Sequence, residues 1–257
     1  MMTTEHNAKS PGIGDTLPLK GGIPFVFPGI AGVGCLFSTV LDGDMAIGPS
    51  VDDNTKLSVR NNRKHILAAA GVTGWVELKQ VHEDHVLIEP EPTDPGEASL
   101  LKGDGSCTSR RHMALVIKTA DCQPILLTNR EGSAVAALHV GWRGNVMSFP
   151  ASGVRRFCET YGMHAGDVLA VRGPSLGPGA SEFVNFSKEW PLEFTPWFHP
   201  DTKTMDLWTL TRHQLVNAGV LQENIFSVDL CTQSLPELFF SYRRGHAGRQ
   251  VSLVWLK

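Results

Sequence analysis

The stretch MALVIKTADCQPILLTNREGSAVAALHVGWRGN (residues 113–145) decides the fold predicted for this chain. It contains three short apolar runs bounded by turn residues: MALVIK (113–118), PILLT (124–128) and AVAAL (134–138). Such runs are typical of buried strands. Because the strands come in groups with few crossover helices, we predict an α+β fold of mixed β-sheets and not a regular βαβ arrangement.

Further elements are predicted on both sides of this stretch. A first helix is expected to stop at Gly71. Its candidate N-caps are Asp53, Asn54 and Thr55. The apolar spacing predicts two more helices, over about 150–161 and 206–218. Strand-like runs occupy 75–81, 85–89, 168–173, 224–229 and 250–256.

Composition limits the class of protein. The chain has 257 residues, of which 42% are hydrophobic and 19% charged, as in ordinary globular proteins. Its net charge of −3 gives no electrostatic signature of nucleic-acid or membrane binding, and no apolar run is long enough to span a bilayer. The start lacks a signal-peptide pattern, so we expect a cytoplasmic protein. Residues 1–23 are interpreted as a loose N-terminal arm and residues 24–257 as a single domain.

Three polar residues lie at the ends of buried apolar runs and are candidate metal ligands: His82, Cys122 and His139. A thiolate and two imidazoles suit zinc, and three protein ligands leave the fourth position open for catalysis. Their spacing matches no local zinc motif, so each also fits a satisfied polar residue at a strand end. Cys122 as a nucleophile with a histidine base is a further interpretation. The five cysteines are odd in number and form no C-x-x-C pair, so no disulfide framework is expected.

Arginines in two motifs are candidate anion-binding residues. Arg143 lies between the glycines of GWRG (141–144), where the backbone can approach a ligand closely. Arg243 and Arg244 follow Tyr242 in SYRR. Each also fits a solvated surface charge. Two acidic residues are candidate general acids or bases: Asp121, next to Cys122, and Asp104 of GDG.

The order of several motifs points to one family. KQVH, GDG, TADCQPILL, LHVGWRG, GPSLG, CT and FFSYRR…GRQVSLVWL follow one another along the chain. With them the chain, from about residue 33 to its end, resembles the YfiH family, also called laccase-domain or polyphenol oxidase-like proteins or peptidoglycan editing factor. The resemblance implies packed mixed sheets with outer helices. It also implies that His82, Cys122 and His139 bind a metal, usually zinc.

The resemblance further implies a zinc-dependent purine nucleoside phosphorylase that cleaves adenosine, inosine and methylthioadenosine with phosphate, with adenosine deamination as a second reaction. On this interpretation residues 24–257 form the catalytic domain, Arg143 holds phosphate, and Arg243 or Arg244 assists with an anion or base. The expected partners are small molecules, with no nucleic acid or membrane, and the expected state is a monomer or homodimer. The best alternative is a peptidoglycan-precursor amidase that uses Cys122 or a zinc-bound water. A copper polyphenol oxidase is disfavoured because no His-x-His pair is present, and a non-catalytic metal-binding protein is the last alternative.

One early segment departs from the family pattern. The family carries T-R before a G-G-V-S turn and then S-L-N-L-G, whereas this chain has FSTVLDGDMAIG. Thr39 or Val40 stands near the place of the arginine, and Ala46 replaces the asparagine. We expect altered substrate specificity if these positions touch substrate.

Overall fold

The computed structural model describes residues 20–48 and 52–257, so most of the predicted N-terminal arm lies outside the described residues. Within this part of the chain the strands are β1 (Ile23–Pro24), β2 (Val33–Phe37), β3 (Gly74–Glu77), β4 (Val86–Ile88), β5 (Gly105–Thr108), β6 (Met113–Thr119), β7 (Gln123–Asn129), β8 (Val135–Val140), β9 (Val168–Arg172), β10 (Phe198–His199), β11 (Thr204–Met205), β12 (Ile225–Ser227) and β13 (Gln250–Leu256). The α-helices are α1 (Asp53–Ala70), α2 (Trp142–Val146), α3 (Phe149–Tyr161), α4 (Phe186–Glu189) and α5 (Leu207–Asn217). None of these helices combines the length and apolarity needed to cross a bilayer.

Two mixed sheets carry most of the strands. The first has the order β1-β2-β13-β6-β3, with β3 parallel to β6 and the other pairs antiparallel. The second has the order β12-β9-β7-β8-β5-β4, with parallel pairs only at its two edges. The apolar runs at 113–118, 124–128 and 134–138 form β6, β7 and β8, and β6 pairs in a different sheet from the other two.

Successive side chains of a strand point to opposite faces of its sheet, and this alternation lets the two sheets pack face to face. Leu126 of β7 joins a cluster with Leu115 of β6 and Val254 of β13, which fills the space between the sheets. Its neighbours Ile125 and Leu127 point the other way, into a cluster with residues of α3 and α5. Helix α1 packs on the outer face of the first sheet. This arrangement confirms the α+β fold of packed mixed sheets with outer helices.

The first helix is capped one residue earlier than predicted. Asp52 is the N-cap, and its Oδ1 accepts hydrogen bonds from the backbone N–H of Asn54 (3.0 Å) and Thr55 (3.1 Å). The end at Gly71 is confirmed, because this residue adopts a left-handed conformation with φ of 66°. All five cysteines are free, as expected.

The strand predicted over 75–81 is shorter, because β3 ends at Glu77. Beyond it the side chain of Gln80 takes over the pairing with the end of β6. Its amide nitrogen donates to the Lys118 carbonyl (2.8 Å), and its oxygen accepts from the Lys118 N–H (2.9 Å). The backbone is thereby free to turn, and it reaches His82 with a left-handed φ of 63°.

Candidate metal centre

The structure brings the three predicted ligands together. His82 lies in the turn after β3, Cys122 in the turn between β6 and β7, and His139 in β8. Their ligand atoms all lie within 4.8 Å of one another, and Cys122 Sγ is 3.9 Å from His82 Nε2. One thiolate and two imidazoles at this spacing fit a tetrahedral metal with one position open. His139 is buried and His82 exposed, so the open side faces outwards.

Gly141 makes this convergence possible. A Cβ atom at this position would lie 3.0 Å from Cδ2 of His82 and 3.2 Å from Sγ of Cys122. Both distances are tighter than ordinary van der Waals contact. The glycine after β8 is therefore required by the close approach of two ligands and not by its φ of −79°, which any residue can adopt.

Asp104 orients two of the ligands. This fully buried carboxylate accepts a hydrogen bond from Nδ1 of His139 (2.7 Å), which leaves Nε2 of the imidazole for a metal. It also accepts the backbone N–H of His82 (3.0 Å) and of Glu83 (2.8 Å), so it fixes the turn that carries the first ligand. Burial opposes its ionisation, but the hydrogen bonds from His139 and Glu83 lower its pKa below the ordinary value.

Cys122 and His139 form a charged pair. Burial alone would raise the pKa of the Cys122 thiol, but the charge of His139 and hydrogen bonds from His139 and His82 lower it to about 6. For His139, burial favours the neutral ring, yet the Cys122 thiolate and the Asp104 carboxylate raise the pKa above its ordinary value. Cys122 is thus held as the thiolate, which is the form that binds metal.

The metal ligands line a cavity of about 880 Å³. One wall is formed by two aromatic and two basic side chains, which we call the basic–aromatic wall: Trp142, Arg143, Phe183 and Arg243. The Arg143 guanidinium lies 4.3 Å from the centre of the Trp142 ring, and the Arg243 guanidinium lies 5.5 Å from that of Phe183. The two rings are 6.1 Å apart. The wall therefore presents both apolar ring surface and positive charge to a ligand.

Arg143 and Arg243 are free to bind an anion. Among the described residues neither guanidinium forms an ion pair with a carboxylate, and that of Arg243 donates to the Glu182 carbonyl (2.8 Å). Arg244 differs, because its guanidinium donates to the backbone carbonyls of the 232–239 segment and does not line the cavity. The Nη atoms of Arg244 thus contact the backbone, its buried Nε has no partner among the described residues, and of the two predicted arginines only Arg243 lines the cavity.

Asp121 connects the metal turn to the segment that carries Arg243. Its carboxylate accepts hydrogen bonds from Thr232 Oγ1 (2.7 Å), Ser241 Oγ (3.0 Å) and the backbone N–H of Arg243 (2.7 Å). Its φ of 90° is unusual for a residue with a side chain. These hydrogen bonds hold the turn before Cys122 against the Arg243 segment, and Asp121 also lines the cavity.

The departures from the family pattern differ in their location. Ala46 lines the cavity, so this departure from the family pattern lies where a ligand can contact it. Thr39 is buried away from the cavity, where its hydroxyl accepts the Leu41 N–H and bonds to Asp42. The sequence did not single out Phe183, which lines the cavity, or Asn145, which is fully buried. No local motif marks Phe183, whereas Asn145 directly follows GWRG.

Comparison with known proteins places this geometry in a family. The sequence model described as multi-copper polyphenol oxidoreductase laccase matches residues 37–257. The chain is 34% identical over 248 residues to purine nucleoside phosphorylase YfiH of Escherichia coli K12, which covers 90% of this chain and 96% of that protein. It is 32% identical to a purine nucleoside phosphorylase of Pseudomonas aeruginosa, over 82% of this chain and 85% of the relative.

Solved structures show the same fold. YlmD from Geobacillus stearothermophilus superposes with a TM-score of 0.81 at 23% identity, over 92% of this chain and 96% of the other. YfiH from Bacillus licheniformis gives a TM-score of 0.75 at 25% identity, over 88% and 93% of the two chains. The matched motifs, the identity to these relatives and the shared fold agree, and the chain belongs to the YfiH family of laccase-domain proteins.

Proposed function

We propose that the chain is a zinc-dependent purine nucleoside phosphorylase acting on adenosine, inosine and methylthioadenosine, with adenosine deamination as a second reaction. The observation that carries this proposal is that the metal ligands and two arginines without carboxylate partners line one cavity. Phosphorolysis needs such an arrangement, since an anion must be held against the sugar beside the reacting bond. The names of the relatives support the same reaction class.

The residues of the basic–aromatic wall bind the two substrates, and the three metal ligands hold the zinc. Arg143 and Arg243 bind the phosphate, since guanidinium groups match its oxygens in geometry and charge. The rings of Trp142 and Phe183 contact the apolar faces of the nucleoside. In the reaction a phosphate oxygen bonds to the anomeric carbon while the bond to the base breaks. His82, Cys122 and His139 hold the zinc, which when bound polarises a ligand oxygen or activates a water.

Arg143→Ala tests the assignment of the phosphate site. We expect the KM for phosphate to rise about tenfold or more, because a charge-assisted hydrogen bond is lost, while the KM for inosine changes less. Steady-state kinetics with each substrate varied in turn measures the difference. An unchanged phosphate KM would remove Arg143 from the phosphate site.

A second candidate function is supported by the hydrogen bonds of Cys122, His139 and Asp104. The Cys122 thiolate is hydrogen-bonded to the His139 imidazole, which in turn is hydrogen-bonded to the Asp104 carboxylate. This is the arrangement of a cysteine hydrolase. This site would suit amide hydrolysis of a peptidoglycan precursor. Zinc binding and nucleophilic attack exclude each other, because a metal-bound Cys122 thiolate is not free to attack carbon. Dependence of turnover on added zinc or on a chelator separates the two.

Copper is the alternative metal. A donor set of two histidines and one cysteine suits copper as well as zinc, and the description of the matching family names copper. In the part of the chain that the structure describes, His82, Cys122 and His139 are the one group identified that can hold a metal, whereas a multicopper oxidase needs several centres. We therefore propose zinc, and elemental analysis of the purified protein checks it.

A further inference from the structure

Arg143 lies on a helix too short to be stable by itself. Helix α2 has five residues, Trp142–Val146, and its N-cap is Gly141, which has no side chain that could cap the helix. Among the described residues the Arg143 guanidinium forms no ion pair with a carboxylate and lies 4.3 Å from the centre of the neighbouring Trp142 ring, so its position depends on the backbone of α2. The contacts that hold this helix turn therefore decide where the positive charge lies.

Asn145 supplies these contacts from the opposite face of the helix turn. It follows Arg143 by two residues, which places the two side chains on opposite sides of the helix, one exposed and one fully buried. The Asn145 Nδ2 donates to Thr211 Oγ1 (2.8 Å) and to Gln214 Oε1 (2.9 Å), both on α5. Its Oδ1 accepts from Gln123 Nε2 (3.1 Å) on β7. Asn145 thus joins α2 to α5 and to the residue next to Cys122.

The direction of every hydrogen bond in this set, which we call the amide relay (Gln123, Asn145 and Gln214), is fixed by the backbone. Gln214 Nε2 donates to the Asn145 carbonyl (2.7 Å), and a carbonyl can only accept. Gln214 Oε1 must then accept from Asn145 Nδ2, and Asn145 Oδ1 must accept from Gln123 Nε2. No amide of the relay can rotate by half a turn without placing two acceptors or two donors together.

Stability does not explain why these positions are polar. The relay ends at Gln123 Oε1, a buried acceptor that has no partner among the described residues. An unpaired buried acceptor destabilises the folded state, whereas apolar side chains of similar size fill such a space without this cost. The relay supplies a directional connection between β7, α5 and the helix turn that carries Arg143, which apolar packing does not supply.

We propose that Asn145 is a positioning residue that holds Arg143 where it binds an inorganic or organic phosphate group beside the metal centre. The inference rests on the proposed function only in taking phosphate as the anion. Asn145 acts through Arg143 and does not touch the ligand. Its removal should therefore weaken anion binding and leave the metal ligands, which lie on other segments, in place.

Calorimetric titration of the zinc-loaded protein with inorganic phosphate tests this inference without requiring turnover. Asn145→Leu removes the centre of the relay, and Asn145→Asp keeps its shape but removes the Nδ2 donor to α5. Asn129→Leu is the matched control. Asn129 is equally an asparagine buried at the other end of β7, where it bonds to Ser133 and Glu131 in the turn towards β8.

We expect either Asn145 variant to weaken phosphate binding about tenfold, with zinc content unchanged, and Asn129→Leu to leave phosphate binding unchanged even if it lowers Tm. Because Asn145 acts through Arg143, adding Asn145→Leu to Arg143→Ala should cause no further loss. Equal phosphate affinity in wild type and both Asn145 variants, additive losses in the double variant, or no phosphate binding by wild type would each overturn the inference. Phosphate binding without any nucleoside turnover would overturn the proposed function and leave this inference standing.

Discussion

Cys122 lies beside two imidazoles, and this contact changes its acidity. The thiolate is stabilised mainly by the charge of His139 and by hydrogen bonds, which together outweigh burial and lower its pKa to about 6. The thiolate therefore persists from high pH down to about 6 and is lost as the pH falls further. An ordinary cysteine thiol, with a pKa of 9.0, is already mostly protonated at neutral pH.

Ultraviolet absorbance of the metal-free protein measures this titration. We expect a thiolate signal with a midpoint near pH 6 that disappears in Cys122→Ser and moves to higher pH in His139→Gln. The comparison with Cys122→Ser is needed because hydrogen bonds also lower the pKa of Cys231 against the effect of burial. A midpoint near that of a free cysteine would contradict the charged pair.

Asp104→Asn should weaken the metal centre without removing a ligand. An amide carries no negative charge and has only one acceptor oxygen, so it cannot replace all the hydrogen bonds that the carboxylate accepts. His139 and the turn of His82 therefore lose their orientation. We expect zinc affinity to fall about 10- to 100-fold. Competition with a chromogenic chelator measures it. Asp42→Asn is the control, since Asp42 is a buried carboxylate that bonds to Thr39 and is absent from the cavity lining; an equal loss there would contradict the assignment.

For single residues, the sequence indicates which residue types matter but not where their side chains point. Asp104 and Asp121 are equal candidates in the sequence, and only the structure shows that Asp104 contacts a ligand while Asp121 bonds to Ser241 and Arg243. Arg243 and Arg244 are adjacent, yet one lines the cavity and the other binds backbone carbonyls. The directions of Asp104 and Asp121 depend on hydrogen bonds between segments far apart in the chain, whereas Arg244 bonds to a segment close to it in sequence.

Among the elements, the turn between β8 and α2 leaves little room for added volume beside the metal ligands. Gly141→Ala would place a methyl group against His82 and Cys122, so we expect weaker zinc binding and lower turnover. Gly144→Ala is the matched control in the same GWRG turn, because a Cβ there would meet Val140 at an ordinary 3.5 Å. Zinc content and turnover of the two variants check this. Full zinc occupancy and activity in Gly141→Ala would contradict the close approach.

Elements with regular apolar patterns were predictable, and those held by side chains were not. Helix α3 and strand β13 occupy their predicted ranges to within one residue, since periodicity and glycines define them. The strand over 75–81 was predicted too long, because the Gln80 side chain replaces backbone pairing. Helix α2 was not predicted, since its five residues depend on the amide relay.

The whole molecule places the cavity where its two sheets meet. Residues from the end of β6, the start of β7 and the end of β8 line it, so both sheets contribute. Among the described residues, the lining contains the basic side chains Lys79, Lys118, Arg143, Arg243 and Arg249 and the acidic residue Asp121, and Lys118 is paired with Glu77. The net charge of −3 conceals this local excess of positive charge, which favours an anionic ligand.

The assembly of the site was predictable only through the family resemblance. His82, Cys122 and His139 lie far apart in the sequence with no zinc-motif spacing, so composition and periodicity left them as three separate polar residues. Their convergence depends on the packing of one sheet on the other, which hydrophobic patterns do not specify. The ordered motifs carried that information, and the geometry agrees with it.

The most direct test of the central claim is the release of free base from inosine and adenosine by protein of known zinc content, with and without phosphate. We predict that base release requires phosphate, increases in proportion to zinc content and is lost in Cys122→Ala. Base release that is independent of phosphate, or no release by fully zinc-loaded protein, would contradict the phosphorylase account.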